Sequence, residues 1–91
     1  MGATVAIIVK LMPDSPDANL KEIEANATKI LTPEGAKNIS FEEKPIAFGL
    51  KSIHMKFAMP EEKGTDLVEA KLATLEHVNS VTIEDYRRAF G

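Results

Sequence analysis

Two hydrophobic periods alternate along this chain, and the order in which they alternate leaves few folds open. Residues 3–11 repeat at every second position, with Val5, Ile7, Val9 and Leu11 on one side and Thr4, Ala6, Ile8 and Lys10 on the other. A period of two carried by β-branched residues predicts a strand, and its half-apolar second side predicts partial burial on both faces. The cluster "MPDSPDAN" then interrupts the pattern as a loop and helix start. Ser15 or Asp17 is placed to cap that helix, and Pro16 suits its first turn. Leu20, Ile23, Ala27, Ile30 and Leu31 follow at helical spacing, until Pro33 and Gly35 end the run.

The second half repeats the scheme. Residues 37–46 alternate through Ile39 and Phe41, and Pro45 either ends this strand or confines it to a sheet edge. Residues 48–59 read as a longer strand with Ile53, Met55, Phe57 and Met59 on one side. Upstream, the apolar set Ile46, Phe48 and Leu50 falls on even numbers, so the phase switches near Lys51 and Ser52. A phase switch implies either a bulge or a change of buried face. After the loop "PEEKGTD", Thr65 or Asp66 can cap a second helix whose stripe is Val68, Leu72 and Leu75. "HVNS" breaks that helix, and Val81 and Ile83 begin a fourth strand running toward Tyr86.

The order is β-α-β-β-α-β. Two strand–helix–strand units with right-handed crossovers lay both helices on one face of a four-stranded antiparallel sheet. The expected class is α+β, a ferredoxin-like sandwich, with residues 1–91 forming one domain.

Composition narrows the function. No cysteine is present, which excludes a disulfide framework and a thiolate metal site, and suits a reducing compartment. The apolar N-terminal run "MGATVAIIVKLM" is too short to span a bilayer and has no basic region before it, so a cytoplasmic location and no membrane partner are expected. Met1-Gly2 opens like a myristoylation signal, but position 6 is Ala6, where that pattern wants Ser or Thr. The 11 Lys and Arg against 14 Asp and Glu give a net charge of −3, a poor match to phosphate backbones. The final six residues, "YRRAFG", form a local basic tip through Arg87 and Arg88.

Catalytic chemistry finds little support. His54 and His77 have no cysteine companions and no paired metal-ligand spacing, so no metal site is expected. No glycine-rich phosphate loop occurs. Asp14, Asp17, Glu42, Glu43, Glu61 and Glu62 read as solvated acids of loops and strand ends, not as a buried acid–base pair. Of the central strands of the expected sheet, the first carries no aromatic, and the phase of Phe57 in the third, shared with Ile53 and Met55, assigns it to the core, so an RNA-stacking platform is not expected. Two features remain. Phe48 and Gly49 are either a hairpin turn or a contact surface, and Arg87-Arg88 is either a frayed end or a basic tip.

At these residues the sequence resembles a known family. "KPIAFGLKSI", "PEEKGTD" and "EHVNSVTI" with the basic tip are similar to the nucleotide-exchange domain of the elongation factor 1-beta family, in its short archaeal form. The family's run is met by Pro45, Ala47, Phe48, Gly49, Leu50 and Lys51, and a second segment by Lys63, Gly64, Thr65 and Asp66. The resemblance implies the ferredoxin-like fold independently. It implies an exchange factor that promotes GDP release from elongation factor 1-alpha, wedged between that GTPase's nucleotide-binding and second domains. It also implies that Phe48 packs on the partner near the region controlling its switch elements, with Gly49 in the same turn. Arg88, or its neighbour Arg87, would reach the magnesium and phosphate region. Eukaryotic members carry Lys where Arg88 stands. The implied protein is not an enzyme in the covalent sense. It has no cofactor of its own, since GDP, GTP and Mg²⁺ sit on the partner, and it makes no direct nucleic-acid contact. The competing readings are a small-molecule regulatory or RNA-binding module on the same fold, and a purely structural subunit.

Overall fold

A computed structural model describes residues 3–89. Phe90 and Gly91 of the expected basic tip, like Met1 and Gly2, lie outside the described residues. Four strands, β1 (Thr4–Pro13), β2 (Lys37–Pro45), β3 (Lys51–Pro60) and β4 (Val78–Ala89), form one sheet in the order β2-β3-β1-β4, antiparallel throughout. Two helices, α1 (Leu20–Leu31) and α2 (Gly64–Leu72), complete the ferredoxin-like α+β arrangement. The sheet's central strands are β3 and β1, and Pro45 closes β2 on a sheet edge, where its missing N–H is tolerated.

The core follows from the two periods. In register, β1 sets Ile7 opposite Phe57, Val9 opposite Met55 and Leu11 opposite Ile53, and all six are buried. Ile23, Ala27 and Leu31 of α1 and Val68 and Leu72 of α2, with Leu75 beyond it, close over this face. Burying a Leu, Ile or Phe side chain is worth about 1.5–3 kcal/mol, so this one layer supplies most of what holds the sandwich together. The alternate side of β1, with Ala6, Ile8, Lys10 and Met12, is only half-buried because no helix covers it.

Five boundaries differ from the sequence expectation, each for a local reason. Helix α1 is capped by Asn19, not by Ser15 or Asp17. Asn19 has extended backbone (φ −79°, ψ 98°) and its side chain accepts a hydrogen bond from the Glu22 N–H at 3.1 Å. Ser15 and Asp17 are occupied upstream in a turn closed by the Ala18 N–H donating to the Ser15 carbonyl. Helix α2 begins at Gly64, off a 3₁₀ turn over Glu61–Lys63 and without a side-chain cap, so Thr65 and Asp66 already lie inside its first turn. It also ends at Leu72, and His77 turns the chain with φ 67°, so that Val78, Asn79 and Ser80 are already strand. Strand β3 starts at Lys51 rather than at residue 48, because Ala47–Gly49 form a tight turn. The even-numbered apolar set therefore belongs to a loop, and the phase switch is neither a bulge nor a change of face.

Strand β4 differs most. It runs from Val78 to Ala89 rather than from Val81 toward Tyr86, and it pairs with β1 as far as Ala89 opposite Thr4, with Arg88 opposite Val5. A register shift between Ile8 and Val9 moves the pattern along β4 by one residue, so Ile83 and Tyr86 both face the helices although three positions separate them.

Candidate exchange surface

Antiparallel pairing sends the hairpin between β2 and β3 to one end of the sheet and the end of β4 to the other. At the hairpin, the Ile46 N–H donates to the Leu50 carbonyl at 2.8 Å and the Leu50 N–H donates to the Ala47 carbonyl at 3.3 Å. The two residues enclosed, Phe48 and Gly49, both have positive φ, 64° and 77°. This is a type I′ turn, the hairpin turn whose twist matches its flanking strands. Glycine adopts such a φ freely, but a phenylalanine there sits in the left-handed region at a cost of about 1–3 kcal/mol. Nothing in the fold compensates through burial, since Phe48 is 93% exposed. Ile46, at 37% exposed, extends the apolar patch beside it. Phe48 is thus part of a hairpin turn, and its side chain stands almost wholly in solvent.

Arg87 and Arg88 stand at the opposite end, held in the ladder and not frayed. The fold does not bring them near Phe48. From Val5, opposite Arg88, to Leu11, opposite Ile53, the strand rises about 20 Å, and the hairpin lies beyond that. The whole molecule measures 44 × 20 × 19 Å. Neighbouring residues of a strand point to opposite faces. Arg88, opposite the core residue Val5, therefore lies on the helical face, where it pairs with Glu61. Arg87, opposite Ala6, lies on the open face and pairs with Asp85 at 2.9 Å.

One polar network escaped the sequence reading. His54 Nδ1 lies 2.7 Å from Glu84 Oε1, and His54 Nε2 lies 2.8 Å from Ser52 Oγ. The Ser52 hydroxyl also donates to the Lys44 carbonyl at 3.5 Å, so its one proton is shared between that carbonyl and the imidazole according to the ring tautomer. The spacing is that of a Ser-His-Glu relay, but the arrangement is not built for acyl transfer. Ser52 is 1% exposed, and its strand is flanked on both sides, so its backbone N–H groups serve the ladder and leave no oxyanion hole. The network instead ties β3 to β4 over β1, beside the register shift. The Ser52-x-His54 spacing was visible in the sequence, but Glu84 enters only through the tertiary register. A shallow depression of about 300 Å³ borders this network, lined by Ile8, Lys56, His54 and Glu84 among others. Among the described residues, no group of three or more His, Asp or Glu stands together as a metal site, and no helix is long and apolar enough to cross a membrane.

On the helical face, two carboxylates meet between α1 and β2. Burial first, and then the hydrogen bond with Glu43, push the Glu24 carboxyl above its usual range. The same hydrogen bond, together with Lys21, pulls Glu43 below it. Lys21 Nζ lies 3.7 Å from Glu24 and 3.6 Å from Glu43. Glu43 is therefore not the solvated strand-end acid the sequence suggested.

Residues 6–89 match the model of the EF-1 guanine nucleotide exchange domain. The chain belongs to this family. It is 42% identical to an elongation factor 1-beta of Methanobrevibacter smithii over 97% of this chain and 98% of that protein. It is also 42% identical to that of Methanocella arvoryzae over 97% and 99%, and 40% identical to that of Ignicoccus hospitalis over 92% and 90%. The matched span of the exchange domain contains both ends of the sheet, the Phe48 hairpin and the Arg87-Arg88 segment. The activity named for the family is guanine nucleotide exchange.

Proposed function

We propose that this chain promotes GDP release and GTP reloading on elongation factor 1-alpha during polypeptide elongation, as a cytoplasmic factor that performs no covalent chemistry. The observation that carries the reading is Phe48. It is an aromatic side chain that is almost fully exposed and also held in a strained backbone conformation. A fold gains nothing from either property. A partner does, because an aromatic anchor on a rigid turn loses little entropy on binding. Phe48 is the partner anchor, with Gly49 as the residue that lets the turn present it.

Arg88 is the second contact, with Arg87 as its neighbour on the other face. Bound GDP is held through Mg²⁺ and phosphate contacts that belong to the GTPase. A guanidinium brought to that region supplies positive charge without ligand oxygens, and so favours the state that lacks Mg²⁺ and nucleotide. A binding partner shifts an equilibrium only by its differential affinity for the two states, and this is the differential. The length between Phe48 and Arg88 suits contacts on two separate domains of the partner, with the sheet as a rigid spacer. It does not suit two contacts inside one nucleotide pocket.

The test is release of a fluorescent GDP from elongation factor 1-alpha with the wild-type chain, with Phe48→Ala and with a chain shortened before residue 87. Wild type should accelerate release, and each variant should slow it sharply while circular dichroism stays unchanged. Wild-type rates from both variants would remove the site assignment.

A further inference from the structure

Arg88 does not present a free charge. Its guanidinium is paired with the Glu61 carboxylate, and the two side chains meet over the end of β1, across two interstrand spacings of about 10 Å in all. Glu61 is well placed to hold this position. Its backbone N–H donates to the Ala3 carbonyl at 2.8 Å, at the turn that leaves β3. Arg88 needs no help from Glu61 to place its backbone, because the ladder to Val5 already does so. What Glu61 sets is the direction and the effective charge of the guanidinium.

We propose that Glu61 is a positioning residue that holds and neutralises Arg88 in the free protein, and that the partner's anionic site must displace it before exchange. This rests on the reading of Arg88 as the cation delivered to the Mg²⁺ and phosphate region. The carboxylate opposes delivery in two ways. It satisfies the guanidinium donors, and it carries negative charge toward a pocket built for phosphate. Both side chains remain solvent-accessible, 67% and 31%, so the pair is weak enough to be exchanged for a better anion. Arg87 is restrained similarly by Asp85, but on the face turned away from Glu61.

The test is the second-order rate constant for stimulated GDP release with wild type, Glu61→Gln, Arg88→Ala and the double variant. Glu61→Gln should raise it by up to about fivefold, the range an exposed ion pair spans. The gain should vanish on the Arg88→Ala background, and it should shrink toward unity near 1 M salt, where the screening length is about 3 Å. A Glu61→Gln rate at or below wild type would overturn the proposal, as would a gain that persists without Arg88. If Arg88→Ala alone exchanged at the wild-type rate, the assignment of Arg88 itself would fall, and this inference with it. A slow Arg88→Ala beside an unchanged Glu61→Gln would remove only the role of Glu61.

Discussion

Phe48→Asn should make the protein more stable and less active in one step. The left-handed conformation at Phe48 (φ 64°, ψ 29°) costs an ordinary side chain about 1–3 kcal/mol, whereas Asn enters it readily and Asn-Gly is the preferred pair of a type I′ turn. The loss on the other side is small. Phe48 is 93% exposed, so of the roughly 200 Å² an aromatic side chain can bury it has buried about 14 Å², worth about 0.35 kcal/mol at ~25 cal/mol/Å². Even the low end of the strain leaves a net gain of about 0.6 kcal/mol, or about 3–5 °C in Tm for a domain of this size. Removing a central aromatic anchor costs about 2 kcal/mol or more of partner binding, a roughly thirtyfold fall in the rate constant for stimulated GDP release. Thermal unfolding by circular dichroism and fluorescent GDP release on the same preparation read both quantities. A lower Tm would refute the strain argument. A higher Tm with undiminished exchange would refute the anchor.

The same burial logic separates two phenylalanines nine residues apart in the sequence. Phe57→Ala, in the core at 2% exposure, should cost about 3–5 kcal/mol in urea unfolding, while Phe48→Ala should stay within about 0.5 kcal/mol of wild type. Asn19→Ala should lose about 1 kcal/mol with the α1 cap, and Ser15→Ala and Asp17→Ala should lose almost nothing; equal effects at all three positions would contradict the cap assignment. Glu24→Gln should raise Tm at pH 7 by an amount that fades toward pH 4. A carboxyl whose folded pKa is raised above 4.5 contributes stability while protonated, and that contribution is lost as pH rises through the folded value. Gln keeps the hydrogen bond to Glu43 without the charge. Glu43 is lowered and acts in the opposite sense, its contribution being lost as pH falls through its folded value below 4.5. A Glu24→Gln protein less stable than wild type at pH 7 would show that the pair is not under repulsion.

The layered core was legible because β1 and β3 carry uninterrupted periods of two, and because α1 shows a stripe that no turn residue breaks. What was not legible depends on pairing between distant segments. Asn79 and Ser80 read as a break because both favour turns, yet in place they extend β4 along a strand already formed. The Ile83 to Tyr86 spacing hides the period because the extra residue of a bulge sits between them, and a bulge is fixed by the partner strand. At the hairpin, the failure of the period at Ile46, Phe48 and Leu50 was visible, but a left-handed Phe48 was not, since local preference argues against it. Charge averaging concealed another feature. The chain is acidic overall, yet on the open sheet face Glu42, Glu84 and Asp85 are engaged with Lys44, His54 and Arg87. No acid of the described residues lies within ion-pair distance of Lys10 or Lys56, which occupy the central strands of that face. The excess of acids therefore belongs to the helical side.

The central claim is that this small sandwich acts by lowering a GTPase's hold on its nucleotide. Its most direct test is the dissociation rate of fluorescent GDP from elongation factor 1-alpha, followed by stopped flow at rising concentrations of this protein. The rate should climb with concentration to a plateau well above the intrinsic rate. A rate that stays at the intrinsic value, while the two proteins demonstrably bind, would contradict the claim.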